Sequence, residues 1–144
     1  MFLNSYTLLC TFYCGIGLGL SQEVSTWKTL AEVQIKTVLQ NGYEIEIPIF
    51  SANLKKLNGQ WITLRGYILP LDLDQQNAFI FSRYPYNACY FCGAAGPETV
   101  LEVASRQALP YQEKPLTLRG RLRLNADNPD KFMYLLEDAY AVSP

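Results

Sequence analysis

Histidine is absent from all 144 residues of this chain. Without imidazole there is no histidine general base, no Ser-His-Asp triad and none of the ligands that most catalytic zinc sites use. A strong charge imbalance is missing too: 12 Lys and Arg stand against 13 Asp and Glu, a formal net charge of −1. Bulk charge therefore implies neither a nucleic-acid partner nor a carboxylate-rich metal cage. From Gln22 to Pro144 no repeat, low-complexity tract, linker or long helical periodicity interrupts the chain, which predicts one domain over 22–144. With 49% hydrophobic residues, that domain can bury an ordinary core.

The first 21 residues also lack Lys, Arg, Asp and Glu. The apolar run from Ser5 to Leu20 ends in Gly19-Leu20-Ser21 before Gln22, as a secretory signal with a small-x-small cleavage site does. The run is short for a membrane helix, which needs about 20 residues, so an uncleaved anchor ranks below it, as does a buried N-terminal helix given Gly15, Gly17 and Gly19. Lipid attachment at Cys10 or Cys14 is disfavoured by the bulky Leu9 and Tyr13 before them. The expected location is the periplasm or cell envelope, where disulfides persist. Removal of the signal would leave the mature chain one cysteine pair, Cys89 and Cys92.

What remains reads as short strands between turns. Trp27, Leu30 and Val33 fit either a turn or two of helix or an extended lead-in. Val33 to Leu39 and Tyr43 to Ile49 flank Asn41-Gly42 and predict a half-buried hairpin. Ser51 caps a short helix through Leu54 and Leu57, which Asn58-Gly59 stops in left-handed geometry. Gln60 to Leu71 is a long strand with Ile62, Leu64, Gly66 and Ile68 on one face, and Gly66 suggests a bend or bulge. Strands follow over Ala78 to Ser82, Val100 to Ala104, Leu116 to Leu124 and Phe132 to Val142. In Leu116 to Leu124 the leucines alternate with Thr117, Arg119, Arg121 and Arg123, and Gly120 takes a crowded inner place. Short bent strands with inner glycines predict a mainly β fold, a small OB-like closed or partly open barrel with one short helix and an N-terminal hairpin.

Chemistry concentrates in Cys89-Tyr90-Phe91-Cys92-Gly93-Ala94-Ala95-Gly96-Pro97-Glu98. Two thiols three positions apart can wrap one metal ion, close a small disulfide or exchange electrons. As a knuckle, the pair would hold an ion about 2.3 Å from each sulfur. Gly93 would supply the positive φ that turns backbone N–H groups toward sulfur, favouring thiolates. That is half a tetrahedral site, with no second knuckle; Glu98, another carboxylate, water or a second subunit's pair would complete it. Zinc is the first candidate ion, and Cu(I), content with two thiolates, the alternative. As a disulfide, the small ring would contribute at or below the roughly 3 kcal/mol of a 15-residue loop. Exchange is disfavoured because Gly93, Gly96 and Pro97 argue against a helix beginning at the pair.

Aromatic residues crowd the same region. Tyr84, Tyr86, Tyr90 and Phe91 are candidate ligand contacts, against the alternative that they and Phe79 and Phe81 roof the core. Phe91 is expected to pack inward, with Tyr84 and Tyr86 exposed beside Pro85. Arg65, Arg119, Arg121 and Arg123 form the one basic stripe, which reads as a solvated strand face given a pI near 5.4. Glu98 and Glu102, as lone carboxylates, point only weakly to catalysis.

Together, Phe50-Ser51, Leu54 to Leu57, Asn58-Gly59, Gly66-Tyr67-Ile68-Leu69-Pro70-Leu71, Cys89-Tyr90-Phe91-Cys92-Gly93, Gly96-Pro97-Glu98 and Leu118-Arg119-Gly120 resemble a bacterial domain-of-unknown-function family, number 3299. The resemblance runs from about Trp27 to Ala141 and rests on a C-x-F-C-G-x-x-G-P-E signature. It implies an exported bacterial protein, often encoded beside transporter components and in some bacteria among genes that respond to zinc shortage, with no established enzymatic activity. Only the two cysteines and Gly96-Pro97-Glu98 carry over. The expectation is an exported, non-enzymatic accessory protein that binds or hands over a soft metal, with envelope transporter components as partners and a homodimer through the Cys loop as one way to complete the site. The alternatives are a thiol-disulfide exchange protein, and a peptide- or envelope-polymer-binding module stapled by a disulfide.

Overall fold

A computed structural model describes residues 26–71, 73 and 77–143. The signal segment over 1–21, with Cys10 and Cys14, lies outside them. Residues 26–30 form a helical turn, α1, so the lead-in is helical, with Val33 following it in irregular chain. Trp27 and Leu30 fall one turn apart and are both buried in the main core. Trp27 Nε1–H donates to the Arg65 carbonyl at 2.9 Å, and the Leu30 carbonyl accepts from Tyr134 Oη–H at 2.7 Å.

Strands β1 (Gln34–Gln40) and β2 (Tyr43–Ile49) form the hairpin in the register Gln40↔Tyr43. Positive φ at Asn41 (53°) and Gly42 (83°) is the geometry that a two-residue primed turn demands. The hairpin is not half-buried, however. Tyr43 and Leu39 are each 75% exposed, and only Val38, Ile45, Ile47 and Pro48 reach intermediate burial. Alternation set Ile45 and Ile47 apart from Glu44 and Glu46, but Tyr43 and Ile49 are exposed and Pro48 is half-buried; among the described residues β1 and β2 pair only with each other, beside a barrel that has closed on itself.

Helix α2 (Ala52–Leu57) begins where the Ser51 hydroxyl accepts from the Leu54 N–H at 3.2 Å. That cap sets Leu54 into the core. Beyond the helix, Asn58 Oδ1 accepts from the Leu124 N–H at 3.1 Å and ties the helix end to the barrel. The left-handed residue is Gly59, while Asn58 itself keeps φ −60°.

Five strands then close the barrel: β3 (Trp61–Ile68), β4 (Ala78–Ser82), β5 (Val100–Ser105), β6 (Leu116–Leu124) and β7 (Tyr134–Val142). They run in the order β3-β4-β5-β7-β6 with β6 returning to β3, and only β5 and β7 are parallel. Relabelled from the barrel's own first strand, the order is 1-2-3-5-4, the Greek-key closure of an OB-like barrel. Ile62, Leu64 and Ile68 point inward with Phe81, Leu101, Leu118, Leu122 and Leu136.

Gly66 makes no bulge. The register irregularities lie between Val103 and Ser105 and between Arg119 and Arg121. Gly66 marks where β3 passes from pairing with β6 to pairing with β4, and a Cβ there would fall on the Ser82 carbonyl oxygen. The arginines of β6 point outward as expected, and Arg121 and Arg123 have partners. Arg123 Nε–H donates to Glu137 Oε2 at 2.8 Å, and Arg121 lies 5.7 Å from the centre of the Trp61 ring.

Candidate functional site

Residues 83–99 join β4 to β5, the second and third barrel strands. Phe79 and Phe81 of β4 face the interior, leaving Ile80 on the outer surface. The connecting loop folds back over that surface, and Ile80, Leu69 and Val100 make a second small core with Cys89 beneath it. The strand-two and strand-three face is the one that OB barrels offer to ligands. Here the dithiol loop occupies it.

Three single turns of 3₁₀-helix build the loop: Tyr86–Ala88, Tyr90–Cys92 and Pro97–Thr99. Cys89 caps the middle turn in extended geometry and Cys92 is its last residue. Both sulfurs donate to the Tyr86 carbonyl, each at 3.0 Å. Gly93, at φ 74°, ends the middle turn in left-handed conformation as expected. The N–H groups it was expected to turn toward sulfur go to carbonyls instead: Gly93 to Tyr90 at 2.9 Å and Ala94 to Cys89 at 3.4 Å. Toward the backbone both sulfurs are thus donors rather than acceptors.

The two cysteines, both free thiols, differ in exposure. Cys89 is fully buried, whereas Cys92 is exposed. The Cys92 thiol is pushed above its ordinary value by desolvation first, then by the charge of Cys89 and by their mutual hydrogen bond. Glu98 stands apart from the sulfurs. Its carboxylate folds over Gly96, where a Cβ would overlap it, and its charge helps to raise the phenol of Tyr134, behind the larger effect of burial. Among the described residues no three His, Cys, Asp or Glu side chains form a metal-holding group. The chain itself therefore brings together two sulfurs and a carbonyl. Gly96 and Pro97 shape the last turn, which the Thr99 hydroxyl closes by donating to the Gly96 carbonyl at 2.6 Å.

The aromatics fall into two sets. Phe79 and Phe81 are core residues. Tyr84, Tyr86, Tyr90 and Phe91 are all exposed, at 36 to 47%. Phe91 does not pack inward, because the turn that sends Cys89 inside leaves Tyr90 and Phe91 on the outer side. Its ring meets Tyr90 edge-on at 5.4 Å and Phe132 at 6.3 Å. Tyr86 borders a shallow cavity of about 300 Å³ with Tyr67 and Tyr111.

Sequence reasoning missed a wide concavity. A cleft of about 900 Å³ lies between the hairpin, Tyr90 and Phe91 of the loop, and the 125–133 connection from β6 to β7. The available signal was the hairpin itself, whose apolar face had no evident cover.

No family model matches the chain, and no curated protein matches it. Among solved structures it is similar to a DUF3299 family protein from Pseudomonas aeruginosa PAO1, with 20% identity over 62% of this chain and a TM-score of 0.45. The similarity spans 66% of that protein, just under two thirds of its length.

Proposed function

We propose that this is an exported, non-enzymatic accessory protein of the periplasm or cell envelope whose Cys89/Cys92 pair binds a soft metal ion and hands it on to a transport system. One observation carries the reading: two sulfurs, one of them open to solvent, converge on a single carbonyl oxygen. An ion entering between them displaces the two thiol protons. Two sulfurs satisfy Cu(I) outright, whereas zinc needs further ligands from water, an acceptor or the same loop of a second copy. Zinc remains the first candidate. The open positions are what handover requires, because an acceptor's ligands can enter before the cysteines let go.

Thiol-disulfide exchange is the weaker reading. Its attacking sulfur needs thiolate character, and the exposed Cys92 is displaced the other way. The test is competition between the reduced protein and a chromophoric chelator for zinc and for Cu(I). Withdrawal of metal by the native protein, lost in the Cys89→Ser, Cys92→Ser double variant, supports the proposal. Failure of the native protein to withdraw either ion removes it.

A further inference from the structure

The 900 Å³ cleft has a composition of its own. Val38, Ile45 and Ile47 of the hairpin line it together with Phe91, Phe132 and Met133. The charged residues along it are Glu46, Asp127 and Asp130 against the single Lys131. One side is a sheet of only two strands, paired with nothing else among the described residues. Its outer edges therefore offer free backbone donors and acceptors. A two-stranded hairpin is marginal alone, and a third strand with an apolar face is what stabilises such a unit.

We infer that the cleft binds an extended peptide segment of alternating apolar and basic side chains, which adds to the hairpin as a third strand. Backbone pairing to the sheet edge supplies affinity, and side chains alternating across the strand supply selectivity. Apolar side chains enter between Ile45, Ile47 and Phe91, while basic ones meet the carboxylates of Glu46, Asp127 and Asp130. Three carboxylates to one ammonium make the cleft complementary to a cationic segment and repellent to an acidic one. The inference goes beyond the metal reading and does not depend on it.

The test is fluorescence anisotropy with a short labelled peptide of alternating valine and lysine, compared with its valine and glutamate counterpart, on the purified reduced protein. Saturable binding of the lysine peptide, tighter than the glutamate peptide by roughly tenfold or more, is expected. Ile45→Asp should weaken it by a similar factor, and Glu46→Lys with Asp127→Lys and Asp130→Lys should reverse the preference between the peptides. The Cys89→Ser, Cys92→Ser variant should bind within about twofold of the native protein, so the two readings fail separately. Absence of saturable binding, or equal binding of the two peptides, overturns the inference. So does self-association in sedimentation that Ile45→Asp abolishes, which would assign the cleft to a second copy.

Discussion

The Tyr134 hydroxyl donates to the Leu30 carbonyl at 2.7 Å, across 104 residues of sequence. This bond fastens the opening helical turn to the barrel, and both residues are fully buried. Tyr134→Phe keeps the ring but leaves a buried carbonyl without its donor, so it should cost about 1–3 kcal/mol in urea unfolding. A loss near zero would mean that the turn is not seated as described.

Gly66 is irreplaceable for a steric reason. Its missing side chain makes room for the Ser82 carbonyl, a backbone atom that cannot swing aside. Gly66→Ala should destabilise by about 1–3 kcal/mol, as overpacked cores do. The exposed Leu39 provides the contrast: Leu39→Lys should fall within about 0.5 kcal/mol of the native protein. Thermal or urea unfolding of both variants checks the pair.

The two cysteines should differ in stability as they differ in burial. Cys89→Ala removes one heavy atom from the small core with Leu69, Ile80 and Val100, a cost of about 0.5–1.5 kcal/mol by analogy with Ile→Val. Cys92→Ala should be close to neutral. Equal effects would contradict the one-in, one-out arrangement.

The raised Cys92 thiol gives a pH prediction with a definite sign. A group whose folded-state pKa lies above its unfolded value stabilises the fold below the unfolded pKa and loses that contribution as pH rises through the folded one. For Cys92 the stabilisation is full below the ordinary value of 9.0 and fades above it. Urea midpoints measured from neutral to strongly alkaline pH should fall more steeply for the native protein than for Cys92→Ala. Parallel curves would show that the thiol is not perturbed by its neighbour.

Much of the barrel was legible. The bounds of β4 and β6 coincide with the runs Ala78 to Ser82 and Leu116 to Leu124, because apolar alternation and flanking turn residues agree there. Asn41-Gly42 and Ser51 announced their turn and cap through local chemistry alone. What stayed hidden depends on distant surfaces. Nothing in Tyr43 to Ile49 says that the sheet it would join has already closed, so its exposure could not be foreseen. The outward turn of Phe91 follows from a 3₁₀ repeat too short to leave a periodic trace. The sulfur contacts, too, depend on which carbonyl the loop brings near, and Tyr86 is three residues from one cysteine and six from the other.

X-ray absorption at the metal edge, on reduced protein loaded with zinc or Cu(I), tests the central claim most directly. The account predicts sulfur scatterers at about 2.3 Å from a bound zinc ion, and their loss in the Cys89→Ser, Cys92→Ser variant for either metal. A first shell of oxygen and nitrogen alone, unchanged by that substitution, would contradict it.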